Sequence, residues 1–154
     1  MIREYKTFRF SYDAKYMLDQ LIFYYEQKLH ERTVKEDLLD NITDTVMETY
    51  DLYGVSVNLD LRITAGSVIE LAVKSTNNLT LSDWKILESE VETIKKEIHN
   101  YSTEDAVPRV YIAKDTIRQL EDLHFSLRED SPRGPKIPYI IKLALYHLYK
   151  QTLG

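Results

Sequence analysis

With 154 residues the chain is long enough for one ordinary domain, or two small ones, with a real core. Apolar residues at 44% and charged residues at 29% give the profile of a soluble globular protein, and no apolar run is long enough to cross a bilayer. Zero cysteines exclude disulfides and thiol chemistry, and charged residues from the outset are the pattern expected of a cytoplasmic protein rather than an exported one. The net charge of −5 is unevenly spread. Residues 1–53 carry 7 basic and 11 acidic side chains, residues 54–106 carry 5 and 9, and residues 107–154 carry 8 and 5. A polyanion should therefore prefer the C-terminal third.

Along the chain, Tyr5 to Phe10 alternates and is rich in aromatic and β-branched residues, which predicts a half-buried strand. Ser11 or Asp13 can cap a following helix whose apolar stripe includes Ala14, Leu18, Leu21, Tyr25 and Leu29. Thr33-Val34-Lys35-Glu36 reads as a capping box opening a second helix with Leu38, Leu39, Ile42, Val46 and Tyr50, stopped near Gly54. Val55 to Ile63 alternates strictly, Ala65-Gly66-Ser67 suits a turn, and Val68 to Val73 is expected to return as the second strand of a β-hairpin. Thr80 or Ser82 then caps a long helix. Its stripe of Trp84, Leu87, Val91, Ile94 and Ile98 reads as core packed on the hairpin, with a homodimer seam as the alternative. The polar stretch Asn100 to Ala106 marks a boundary. Beyond it Arg109 to Ala113 alternates, a helix carries Ile117, Leu120, Leu123 and Leu127, and Ser131 to Lys136 breaks the chain. The last helix begins near Pro138 with Ile140, Ile141, Ala144, Leu145 and Leu148 on its apolar face.

The two ends repeat one another. A shift of 102 residues superimposes Phe8 on Val110, Phe10 on Ile112, Leu18 on Leu120, Leu21 on Leu123 and Phe23 on Phe125. It also places Leu38-Leu39 on Ile140-Ile141 and Val46 on Leu148. Strand, helix, helix is too little to bury a core alone, and two copies can bury one together.

This pattern, with Pro138-Tyr139-Ile140-Ile141-Lys142-Leu143-Ala144-Leu145 as its second helix, resembles the ribbon-helix-helix DNA-binding family. The resemblance implies an α+β fold of tandem ribbon-helix-helix modules, a pseudo-dimer within one chain, at residues 1–53 and 107–154. These would flank a β-hairpin plus helix insertion at 54–106. It further implies sequence-specific binding of double-stranded DNA, as a repressor or an accessory factor of a plasmid, phage or conjugative element, without catalysis. The strands can pair within one chain, which we favour, or between chains. Alternation puts Phe8, Phe10, Val110 and Ile112 inward, and Thr7, Arg9, Arg109 and Tyr111 outward as base-contacting candidates in the major groove. Because the family holds a phosphate at the second helix's N-terminus, Arg133 and Lys136 are the phosphate candidates. Glu36 and Asp37 stand where the first copy would meet its phosphate and would repel it, and an acidic chain lacks much nonspecific affinity for DNA.

The plainer readings stand beside these. The outward residues serve equally as the polar face of a charged edge, and Arg133 and Lys136 as solvated loop charges. The alternative function is a protein-interaction or assembly module that keeps the fold without strong DNA binding. His30, His99, His124 and His147 show no metal-ligand spacing, no glycine-rich phosphate loop occurs, and no nucleophile-and-base motif is visible, so no cofactor, no metal and no enzymatic activity are expected.

Overall fold

A computed structural model describes residues 2–57, 59–98, 102–129 and 131–154. Asn58 of the expected hairpin, His99, and Asn100 of the expected boundary lie outside them. Among the described residues the architecture is α+β, with six α-helices and one two-stranded antiparallel sheet. In chain order these are β1 (Arg3–Thr7), α1 (Tyr12–Lys35), α2 (Leu38–Thr49), α3 (Ala65–Ser75), α4 (Leu81–Glu90), a 3-10 helix (Val91–Glu97), β2 (Arg109–Ala113), α5 (Lys114–Ser126) and α6 (Ile137–Leu153).

Strands β1 and β2 pair with each other inside one molecule, Arg3 opposite Ala113 and Thr7 opposite Arg109. The same register runs beyond both ends of the strands. Lys114 N donates to Ile2 O, Phe8 N donates to Pro108 O, and Phe10 bridges Ala106. Alternation then sorts the side chains. Val110, Ile112 and Phe10 are buried and Phe8 is half-buried, while Tyr5, Thr7, Arg9, Arg109 and Tyr111 are exposed.

The chain divides into two compact units, one of Met1–Leu21 with Thr64–Gly154, the other Ile22–Ile63, the boundary falling within α1. In the first unit α3 and α5 both pack against α6 and against β2. The core gathers Met17, Leu18 and Leu21 of α1, Ile69, Ala72 and Val73 of α3, Val110 and Ile112 of β2, and Ile140, Ile141 and Leu145 of α6, all at 2% exposure or less. The second unit holds the rest of α1, then α2 and the chain to Ile63, and none of its described residues is buried.

Three sequence expectations need correction. The segment 65–73 is not a turn and a returning strand but helix α3. Thr64 and Ser67 form its capping box, and Val68, Ile69, Ala72 and Val73 fall on one buried face. The alternating stretch before it has no strand to pair with, and none forms among the described residues of 55–64. Thr33 does not cap a second helix, because α1 runs on to Lys35 and the Thr33 hydroxyl donates to Leu29 O inside it at 2.8 Å. The break comes at Asp37, whose φ of 45° is left-handed. Finally, the Trp84 stripe is interior: Trp84, Leu87, Val91 and Ile94 are 0–4% exposed, so they cannot serve as a homodimer seam, and the α-helix gives way to 3-10 geometry at Val91.

Helix α3 packs against α6, as α4 and α5 also do, and the sequence carries a likeness between α3 and α6. Val68-Ile69-Glu70-Leu71-Ala72-Val73 aligns with Ile140-Ile141-Lys142-Leu143-Ala144-Leu145 at a shift of 72, with three identities. The N-caps agree as well, Thr64 with Lys136. The likeness of the strands and first helices holds at a shift of 102 and that of α3 to α6 at 72, offsets that differ by 30 residues.

Candidate functional site

The exposed face of the ribbon is built by pairing. Tyr5 lies opposite Tyr111 with ring centroids 4.8 Å apart, and the Arg109 guanidinium sits 4.3 Å above the Tyr5 ring. Cation–π stacking of this kind fixes a planar guanidinium at little entropic cost and leaves its hydrogen-bond donors available. Thr7 lies opposite Arg109, and two residues further along Arg9 donates from Nε to Asp105 at 3.1 Å. That ion pair is open to water and exchangeable, since exposed pairs are worth little. Arg3, by contrast, is committed. Its guanidinium grips both oxygens of Glu70 on α3, and Glu70 Oε1 also accepts from Ala113 N at 2.8 Å, tying both strands to α3.

At one end of the ribbon a cleft of about 380 Å³ opens against the start of α6, lined by Arg9, Ser11, Asp105, Lys136, Tyr139 and Lys142 among others. Lys136 is the N-cap of α6 and no side chain caps the helix there. Its exposed ammonium makes no salt bridge among the described residues. Sequence reasoning separated Arg9 and Lys136 into base and phosphate contacts; the structure brings them into one cleft. Arg133 is exposed in the preceding turn, where the Ser131 hydroxyl bonds its backbone, and does not line the cleft.

Beneath this cleft lies a buried ion pair that the sequence does not announce. Asp13 is fully buried, and Lys142 is 7% exposed with Nζ 2.7 Å from Asp13 Oδ2. Oδ2 has no hydrogen bond of good geometry among the described residues, but an ammonium at that distance neutralises it. Oδ1 accepts from Ser11 Oγ and Ala14 N. Burial pushes the Asp13 carboxyl up, yet the close Lys142 ammonium, the Ser11 hydrogen bond and the Lys95 charge outweigh it and hold the group below its usual range.

A further cluster joins Ser75 and His147, with Ser75 Oγ 3.1 Å from His147 Nδ1. The Ser75 hydroxyl donates to Ala72 O at 2.6 Å, so its proton serves the end of α3. Burial lowers the affinity of His147 for a proton, and the Lys150 charge lowers it further against the opposing pull of Asp83. Asp83 itself is occupied in the α4 capping box with Thr80. This is a helix-end contact, not an activated nucleophile. Among the described residues no group of three His, Cys, Asp or Glu side chains is placed to hold a metal ion, and no helix is long and apolar enough to cross a membrane.

No family model, curated protein or solved structure matches the chain.

Proposed function

We propose that the chain is a non-catalytic double-stranded DNA-binding protein of ribbon-helix-helix type, in which one molecule supplies both strands and both module cores. The observation that carries this reading is the intramolecular pairing of β1 with β2, which gathers Tyr5, Thr7, Arg109 and Tyr111 on one exposed face while Val110 and Ile112 of β2 join the core from the other, where β1 contributes only the unburied Glu4 and Lys6. A two-stranded ribbon fits a B-DNA major groove. Arg109 would address guanine, and Thr7 and Tyr111 would hydrogen-bond base edges or touch thymine methyls. Lys136 and Arg9 at the start of α6 would hold a backbone phosphate. The two modules are then β1, the first turns of α1, and α3, against β2, α5 and α6. On the resemblance that led here, such a protein acts as a repressor or as an accessory factor of a mobile element.

The test is fluorescence anisotropy with labelled duplex from the flanks of the gene and a scrambled control, at low and physiological salt. Locus-preferring binding that persists at physiological salt is expected, and Arg109→Ala or Tyr111→Ala should shrink the preference between the two duplexes about tenfold. Equal, salt-abolished binding to both duplexes would overturn the reading.

One observation favours the second reading, a protein-interaction module. Residues 22–63 carry 4 basic and 9 acidic side chains, which accounts for the whole net charge of −5, and display Phe23, Val34, Tyr50 and Tyr53 at 61–71% exposure. A surface both acidic and apolar suits a protein partner better than a polyanion. Phe23→Asp with Tyr53→Asp would then abolish capture of a partner from the native host while leaving anisotropy with DNA unchanged.

A further inference from the structure

The backbone of β1 points two ways. Lys114 N donates to Ile2 O, Phe8 N donates to Pro108 O, and Phe10 and Ala106 exchange both bonds, so the even-numbered residues of β1 face β2. The N–H and C=O groups of Arg3, Tyr5 and Thr7 therefore point away from β2, and they meet no partner among the described residues. The other edge of the sheet is closed. Ala113 N donates to Glu70 of α3, and Gly66 brings that helix so near β2 that a Cβ there would overlap the Tyr111 carbonyl. No such cover lies along β1, for which β2 is the one element packed extensively against it among the described residues. Tyr5, Lys6 and Thr7 are exposed. An open edge of this kind is a template for another strand.

The sequence of that edge selects its occupant. Arg3-Glu4-Tyr5-Lys6-Thr7 is complementary to itself when a second copy runs antiparallel about Tyr5. Only the odd-numbered residues have bonds to exchange. In this register Arg3 faces Thr7 of the second copy, Tyr5 faces Tyr5, and Glu4 faces Lys6 on both sides of the centre. The charged pairs then fall at non-hydrogen-bonded positions, where side chains approach most closely. Moving the centre by one residue sets Glu4 against Glu4 or Lys6 against Lys6, and a parallel pairing in register does both. Charge on an edge strand normally blunts pairing because like meets like, and this register is the one that is spared. Within one molecule Lys6 Nζ lies 3.9 Å from Glu4 Oε1 with both side chains open to water, so neither is committed. On the other face Tyr5 is 58% and Tyr111 48% exposed, with ring centroids 4.8 Å apart. Pairing about Tyr5 extends these two rings into one row with the same two rings of the second copy.

We propose that β1 is a homodimerisation edge: two copies pair their β1 strands antiparallel about Tyr5, with Glu4 of each against Lys6 of the other, in a continuous sheet of order β2-β1-β1-β2. The contact is isologous and stops at two copies, because the outer edge of each β2 is already covered by α3. It uses none of the Trp84 stripe. It also stands independently of the DNA-binding reading, since it needs the edge of the ribbon and not its face.

The experiment is sedimentation velocity on the full chain and on Lys6→Glu and Glu4→Lys, separately and mixed, with thermal melts to confirm that each variant is folded. The parent should show a concentration-dependent dimer at concentrations on the order of 10–100 µM, as suits a small contact. K6E alone sets carboxylates against carboxylates and E4K alone sets ammoniums against ammoniums, so each should dimerise about tenfold more weakly or worse. Mixed in equal amounts the two variants complement one another, and dimer should return to the parent's level. A parent that stays monomeric, lone variants that dimerise as the parent does, or a mixture that recovers nothing would each overturn the proposal. Because the chain has no cysteine, Tyr5→Cys also checks the register. Oxidation should cross-link Y5C, whose paired Cα atoms lie about 5.5 Å apart, and should spare Thr7→Cys, which lies roughly 14 Å from its counterpart. Cross-linking of T7C as readily as Y5C would count the register, and with it the proposal, as wrong.

Discussion

Asp13 and Lys142 carry opposite charges taken almost wholly out of water, so each depends on the other. Removing Lys142 strands the Asp13 carboxylate, and Lys142→Met should cost about 3–5 kcal/mol by denaturant unfolding; Asp13→Asn should cost less, because Glu92 still faces the ammonium at 3.6 Å, and the double variant should recover part of the loss. The pair also sets an acid limit. The folded Asp13 carboxyl titrates below its usual 3.8, so its contribution is fully present above that value and is lost as pH falls through the folded value. The stability advantage of the parent over Asp13→Asn should accordingly be complete at pH 6 and shrink below pH 4. An advantage that is flat with pH would mean that the pair does not hold the carboxylate ionised. Gly66 is the other decisive residue. Its lack of a side chain lets α3 approach the backbone of β2, and Gly66→Ala should destabilise by about 1–3 kcal/mol because the clash is with a carbonyl that cannot rotate away.

At the scale of elements, α3 and α2 make opposite claims on the core. Ile69 is fully buried, and Ile42 is half-exposed on a helix with no buried residue. Ile69→Ala should cost about 2–5 kcal/mol in denaturant, and Ile42→Ala under about 1. Equal costs would mean that α2 belongs to the core. The ribbon was legible from sequence, because alternation in Tyr5–Phe10 and Arg109–Ala113 determines which side chains share a face whatever the strand ends. The α4 start was legible too, since Thr80 caps it as its position suggests. Which helix of the N-terminal half most resembles α6 was not. Leu38, Leu39, Ile42 and Val46 have helical spacing and sit at the offset the rest of that copy obeys, while Val68 to Val73 is a short apolar run that suits a strand or a buried helix equally. Thr64-Ala65-Gly66-Ser67 is as good a turn as it is a capping box. The signal that separates them is the match of Val68–Val73 to Ile140–Leu145 at a different offset, which a search at one fixed shift passes over. The buried Asp13 partner was illegible for another reason: nothing local marks a lysine in a last helix as buried.

For the whole molecule, the division of charge and the division of burial coincide. Residues 22–63 carry the entire net charge and, among the described residues, no buried side chain, whereas the remainder is neutral overall and contains the described buried core. Helical hydrogen bonds without buried apolar cover open at low cost. Amides of α2 should therefore exchange with deuterium well before those of α3 and α6, and proteases should cut first between 36 and 63. Protection of α2 matching that of α6 would indicate a partner or a second copy covering it.

The pairing of β1 with β2 joins residues 102 to 110 positions apart in the chain. At ordinary rates of synthesis β1 waits on the order of 5–20 s for its partner to be made. Closing so long a loop makes the sheet a late product of folding rather than its seed. A polypeptide cut short anywhere before Arg109 has no ribbon at all, so the exposed face is displayed only by chains whose translation has passed that point. Under the proposed function, incomplete products would be silent rather than competing for a duplex with half a surface.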